Sequence, residues 1–186
     1  MMILKTNLLP KYILLVIFLC SNLFSKAQSK PLAVKSYTVE FKIKNAKINV
    51  SGIFGGLKST INFDPLNPLN GSFEGTIDVN TLKTGIDMRD KHLKKTEYFD
   101  VVKYPQITLK SLSITKVKDN QYNAKCNLTM KGKTKEVMLP FTITTSNGVS
   151  ELNGSLTLNR LDFGVGSSSV IMSNNLLVNI NAIISK

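Results

Sequence analysis

Gln121-Tyr122-Asn123-Ala124-Lys125-Cys126-Asn127-Leu128-Thr129-Met130 alternates polar and apolar side chains without a break. A repeat of two puts every second side chain on the same face of an extended strand. Tyr122, Ala124, Cys126, Leu128 and Met130 therefore share one face, and the five polar residues share the other. One dry face and one wet face is the signature of an antiparallel sheet wrapped around a single interior.

The same habit runs outward in both directions. Tyr37, Val39, Phe41 and Ile43 alternate with Thr38, Glu40, Lys42 and Lys44, and Ile61-Phe63 and Phe73-Ile77-Val79 continue it. Ile107 and Leu109 are followed by Leu112 and Ile114 in the opposite phase, which predicts a bulge near Ser111. Val137-Leu139-Phe141-Ile143, Leu152-Leu156-Leu158 and Val178-Ile180-Ala182-Ile184 complete the series. Turn signals fall between these runs: Asp64 to Gly71, Asp119-Asn120, Lys131-Gly132-Lys133 and Ser146-Asn147-Gly148. About eight strands joined by short turns imply a sandwich or an up-and-down barrel. The segment from Asp87 to Phe99 lacks alternation, and Met88 to Lys95 is expected to form one short helix. No linker, repeat or low-complexity stretch divides residues 28–186, so one domain is expected there.

The N-terminus has a separate logic. Lys5 and Lys11 precede the apolar run Tyr12 to Leu19, and Ser25-Lys26-Ala27 supplies small residues before Gln28. That order is a secretory signal peptide, with cleavage expected after Ala27 and a periplasmic or secreted product. The apolar run is shorter than the roughly 20 residues a membrane span needs. Lipidation at Cys20 and an uncleaved anchor are the alternatives, although bulky Leu19 precedes that cysteine. Removing residues 1–27 takes three lysines and no acid, so 159 residues carry +9 of the +12 formal charge. Such a balance favours transient contact with anionic surfaces such as membranes. No aromatic-basic motif for nucleic acid accompanies it.

Chemistry is scarce. The expected mature chain has one histidine and one cysteine, too few for a transition-metal site, and no metal or cofactor is expected. Cys126 falls in the alternating apolar set and reads as a core residue rather than a nucleophile. No phosphate loop or nucleophile elbow is present. The densest polar cluster is Asp87, Arg89, Asp90, Lys91, His92, Lys94, Glu97 and Asp100. His92 could act as a general base oriented by Asp87 or Asp90. The favoured reading is an exposed capped helix whose charges pair with one another and with sheet-edge carbonyls. Lys131, Lys133 and Lys135 surround a glycine turn, where they could meet an anionic headgroup or membrane surface. The competing reading is a solvated turn that protects a sheet edge.

Five segments in order resemble one family. Ser51 to Leu57 with Ile61-Asn62-Phe63-Asp64-Pro65 is similar to the start of YceI-like domains. Thr84-Gly85-Ile86-Asp87-Met88-Arg89-Asp90-Lys91-His92-Leu93 resembles their central signature, followed by Glu97-Tyr98-Phe99-Asp100 and Tyr104-Pro105-Gln106-Ile107. Leu128 to Lys135 resembles their lysine hairpin, and Asn159 to Gly166 their closing segment. The resemblance implies an all-β, elongated, antiparallel eight-stranded lipocalin-like barrel with one short helix, in an exported bacterial protein. It also implies an interior that holds a polyisoprenoid or another long-chain amphiphilic lipid, with no catalytic residue to carry over. Many members have a His-Ser pair where this chain has Val39-Glu40-Phe41-Lys42, so no polar contact is transferred from that pair. The expected lining is Phe41, Ile43, Phe54, Phe63, Phe73, Ile77, Leu109, Leu128, Phe141 and Phe163, which an ordinary dry core would use equally well. Two rivals remain. An enzyme on an apolar substrate needs polar groups pointing inward, and a ligand-free interaction scaffold needs a closed interior. Either a monomer or a homodimer fits.

Overall fold

Eight strands in sequence order close on one another in a computed structural model that describes residues 31–185. The expected signal peptide lies outside the described residues. The strands are β1 (Ala33–Asn45), β2 (Ile48–Asn62), β3 (Ser72–Lys83), β4 (Gln106–Lys118), β5 (Gln121–Met130), β6 (Lys133–Ser146), β7 (Val149–Asn159) and β8 (Met172–Ser185). Each is antiparallel to its neighbours, and β8 returns to pair with β1 along nearly its whole length. The ten to fifteen residues per strand exceed the usual five or six, which makes the barrel long.

Alternation places the core as the sequence implies. Ala124, Cys126, Ile114 and Ile184 are wholly buried, and Tyr122, Leu128, Leu139, Phe141 and Leu158 nearly so. Among the described residues no disulfide helps; Cys126 is a buried free thiol whose pKa burial raises to about 11. The predicted bulge is present, because the β4–β5 register shifts between Ser111 and Ser113. Its consequence differs from the expected one. Leu112 is the bulged residue and points outward, half exposed, while Ile114 alone returns to the core. An extra residue resets the phase of the strand beyond it, so the bulged residue itself need not turn inward.

The hairpins 46–47 and 131–132, the segment 84–105 and the loop 160–171 lie at one end, the roof. The loop 63–71 and the hairpins 119–120 and 147–148 lie at the other, the floor. Within the roof, α1 (Asp87–Leu93) forms after Gly85 turns the chain at φ +81°. Asp87 in its first turn and Lys91 and His92 in its last complement the helix dipole. The expected side-chain cap is absent, since Ile86 occupies that position. Asp90 is not exposed either. Its Oδ1 accepts from Thr84 N at 2.8 Å and Thr84 Oγ1 at 2.7 Å, which ties α1 to the end of β3. Its Oδ2 is buried without a hydrogen-bond partner among the described residues, with Lys83 Nζ 3.9 Å away. The Thr84 hydroxyl holds this carboxyl below the usual range against the opposing effect of burial, aided by Thr84 N–H, Lys83 and Lys94.

Candidate functional site

Side chains on the inward faces of all eight strands enclose a cavity of about 230 Å³. It runs along the barrel from Met172, Phe163 and Val165 near the roof to Phe73, Phe141 and Leu152 near the floor. Carbon atoms supply nearly all of its wall. Nine of the ten residues expected to line an interior do border it: Phe41, Ile43, Phe54, Phe73, Ile77, Leu109, Leu128, Phe141 and Phe163. Phe63 does not. It packs edge-on to Tyr122 at 5.1 Å and Phe141 at 5.9 Å and closes the floor beneath the cavity. Phe73 meets Phe141 edge-on at 6.2 Å, and Tyr122 stacks on Phe141 at 5.3 Å. Edge-on and offset-stacked pairs are the arrangements aromatic rings prefer.

The roof is built from residues that alternation could not identify. Leu93, Tyr98 and Phe99 descend from the segment around α1, and Phe99 meets Phe54 edge-on at 5.8 Å. Phe54 in turn lies 5.6 Å from Phe41, whose ring crosses Gly52 on the neighbouring strand. A Cβ at residue 52 would come within 2.5 Å of that ring, so glycine is what lets Phe41 lie across β2. The sequence signal for the roof was the aromatic pair Tyr98-Phe99 inside a polar segment.

Charged groups bordering the cavity are already engaged. Arg160 is buried, and its guanidinium donates to Ser173 O at 3.0 Å, Val165 O at 2.8 Å and Ser167 O at 2.7 Å. Asn174 Oδ1 takes a longer bond at 3.3 Å. The arginine therefore straps the loop 160–171 across the roof, and burial lowers its pKa. Glu40 and Glu74 border the cavity but pair with Lys42 and Lys110, each at 3.1 Å. His92 is exposed, 4.9 Å from the Tyr98 ring, and does not reach the cavity. Asp90 is committed to Thr84, and among the described residues no hydrogen bond or ion pair joins His92 to Asp87 or Asp90. Among the described residues, no cluster of metal-ligating side chains occurs.

The lysine hairpin divides. Lys131 Nζ donates to Gly164 O at 2.7 Å and Glu97 O at 3.1 Å, which pins the hairpin to the roof loops. That ammonium is occupied within the chain and is not presented to a headgroup. Lys133 and Lys135 remain exposed.

The model of the YceI-like domain family matches residues 32–184, and the chain belongs to that family. It is 36% identical over 102 residues to Protein YceI of Salmonella newport and 37% identical over 102 residues to a UPF0312 protein of Pectobacterium atrosepticum. These alignments cover 54% of this chain and 53% of each relative, so the chain spans about half the length of the relatives it matches. The crystal structure of BcnA from Burkholderia cenocepacia superposes with a TM-score of 0.78 at 26% identity, over 83% of this chain and 99% of that one. A polyisoprenoid-binding domain from Saccharophagus degradans, implicated in plant cell wall breakdown, superposes at 0.68 over 83% of this chain and 97% of its own. At 15% identity, that likeness shows a common fold.

Proposed function

We propose that this YceI-like barrel binds, carries or stores a long apolar lipid such as a polyisoprenoid in the bacterial cell envelope and performs no chemistry on it. One observation carries the reading: a carbon-walled cavity runs along the barrel, and the charged groups bordering it are engaged elsewhere. Apolar cavities of this kind stay dry and accept hydrocarbon. The polyisoprenoid-binding neighbour supports the same ligand class. The lining residues Phe41, Ile43, Phe54, Ile77, Leu109 and Leu128 are proposed to contact the chain, and Lys133 and Lys135 an anionic headgroup or membrane surface. Export through residues 1–27 is part of the proposal.

The test is direct. The protein is expressed in full in a bacterial host, purified without detergent, and analysed by native mass spectrometry and solvent extraction. A bound long-chain lipid near one per barrel supports the reading. Protein that emerges lipid-free and also takes up no added isoprenoid overturns it.

A further inference from the structure

We infer that the apolar chain enters and leaves sideways, through a slit in the wall between β1 and β2 that Tyr37 bridges. This rests on the lipid-binding reading and specifies its route. The β1–β2 ladder runs from Asn45–Ile48 to Val39–Phe54 and stops. The two strands meet again at a single bridge, where Leu32 N donates to Ile61 O at 2.7 Å. Between those points, residues 33–38 of β1 and 55–60 of β2 form no ladder with each other.

The register at both ends of the slit is the same, so the strands separate without slipping. Each carries an irregularity there. The β1–β8 pairing shifts between Val34 and Ser36, and the β2–β3 pairing shifts on both sides of Gly55. Gly56 sits at φ +66°, a conformation that glycine adopts without strain. These bulges bend the two strands away from each other while keeping them joined to their outer neighbours.

Exposure locates the opening. Val34, Tyr37, Leu57 and Ser59 all border the cavity beside this gap; the first three are half-buried, as are Ile43, Leu109 and Leu152 elsewhere on the wall, but Ser59 is exposed. A second interrupted seam provides the contrast. The β6–β7 ladder also stops short, at Phe141–Gly154, but Leu139, Leu156 and Leu158 seal it, each no more than 7% exposed. Missing ladder bonds alone therefore do not open the wall; at the β1–β2 gap the side chains are only half-buried and end at exposed Ser59. The floor is filled by aromatic rings and the roof by α1 and the loop strapped by Arg160.

Charge keeps the slit from zipping shut. Continuing the register across it would set Lys35 against Lys58, and like charges directly opposite each other destabilise a ladder. Neither lysine forms an ion pair among the described residues. Lysines on an open strand edge also discourage pairing with another chain. Among the described residues, the one bond that spans the slit is made by the Tyr37 hydroxyl, which accepts from Leu57 N–H at 3.0 Å. Sliding a chain past it requires breaking a single hydrogen bond rather than unlocking the roof.

The experiment uses Ser59→Cys in a Cys20→Ser background, with a bulky thiosulfonate reagent that reduction removes. Retinol is the probe, an isoprenoid whose fluorescence rises in an apolar site, and its association and dissociation are followed by stopped flow. Labelling the introduced thiol is expected to slow both rates roughly tenfold or more while leaving Kd little changed, as a blocked gate requires. Reduction restores both. The same label on Met138→Cys, exposed on the opposite wall, leaves both rates alone. Tyr37→Phe speeds both rates about threefold in parallel. Labelled protein that exchanges retinol at the unlabelled rate overturns the slit and leaves the lipid-binding reading standing. An unmodified chain that takes up no retinol overturns both.

Discussion

A homologous series of straight-chain alcohols measures the cavity in units of methylene. On β8 the cavity is bordered from Met172 to Ala182, ten residues apart. At about 3.4 Å per residue and a tilt of about 40° from the barrel axis, that span is roughly 25 Å long. An extended zigzag chain with bonds of about 1.5 Å advances roughly 1.25 Å per carbon, so the span matches about twenty carbons; the resting volume of about 230 Å³ is smaller than such a chain, and the lining side chains must spread to admit it. Each methylene moved out of water contributes about 0.8 kcal/mol, which lowers Kd about fourfold. Ordering a flexible chain offsets part of this, so about threefold per methylene is expected. Competitive displacement of retinol gives Kd for each alcohol, and calorimetry adds the negative heat-capacity change that apolar burial produces. Affinity should climb steadily up to about twenty carbons and then level, because further methylenes stay in water. A plateau near ten carbons would refute the reasoning, since the barrel would then hold only what its resting volume admits. So would a slope too shallow to reflect burial.

Asp90→Ala leaves the Thr84 N–H and hydroxyl without their acceptor and is expected to cost about 3 kcal/mol in thermal or urea unfolding, with Asp90→Asn costing about half as much. Because the folded carboxyl is held below the ordinary range, the wild-type margin over Asp90→Asn is full above about pH 4 and shrinks as pH falls through the lowered value; a margin that grows in acid contradicts the assignment. Arg160→Lys cannot reach three carbonyls with one ammonium and is expected to lose about 3 kcal/mol. Hydrogen exchange should quicken first in residues 160–171, and an unchanged melting temperature would remove Arg160 as the strap of the roof.

Strand identity was legible because each strand needs only its own alternation: Gln121 to Met130 declares its inward face with no reference to any partner. The bulge near Ser111 was legible for the same reason, as a local break in phase, and most of the lining followed from reading inward faces. The order of motifs, matched to a family, then selected a barrel over a sandwich. Tertiary structure decided what depends on distance between remote residues. Phe63 alternates correctly, yet it lies past the end of β2, where closing the barrel turns it into floor rather than wall. Asp90 and Arg160 look like surface charges in sequence, and only the fold brings them to Thr84 and to the carbonyls that allow their burial. Lys131 reads as a free cation until the roof loops arrive beneath it. The slit was signalled only by Gly55-Gly56 within a strand, because a gap is a property of two strands, and neither one's residues state how far away the other will be.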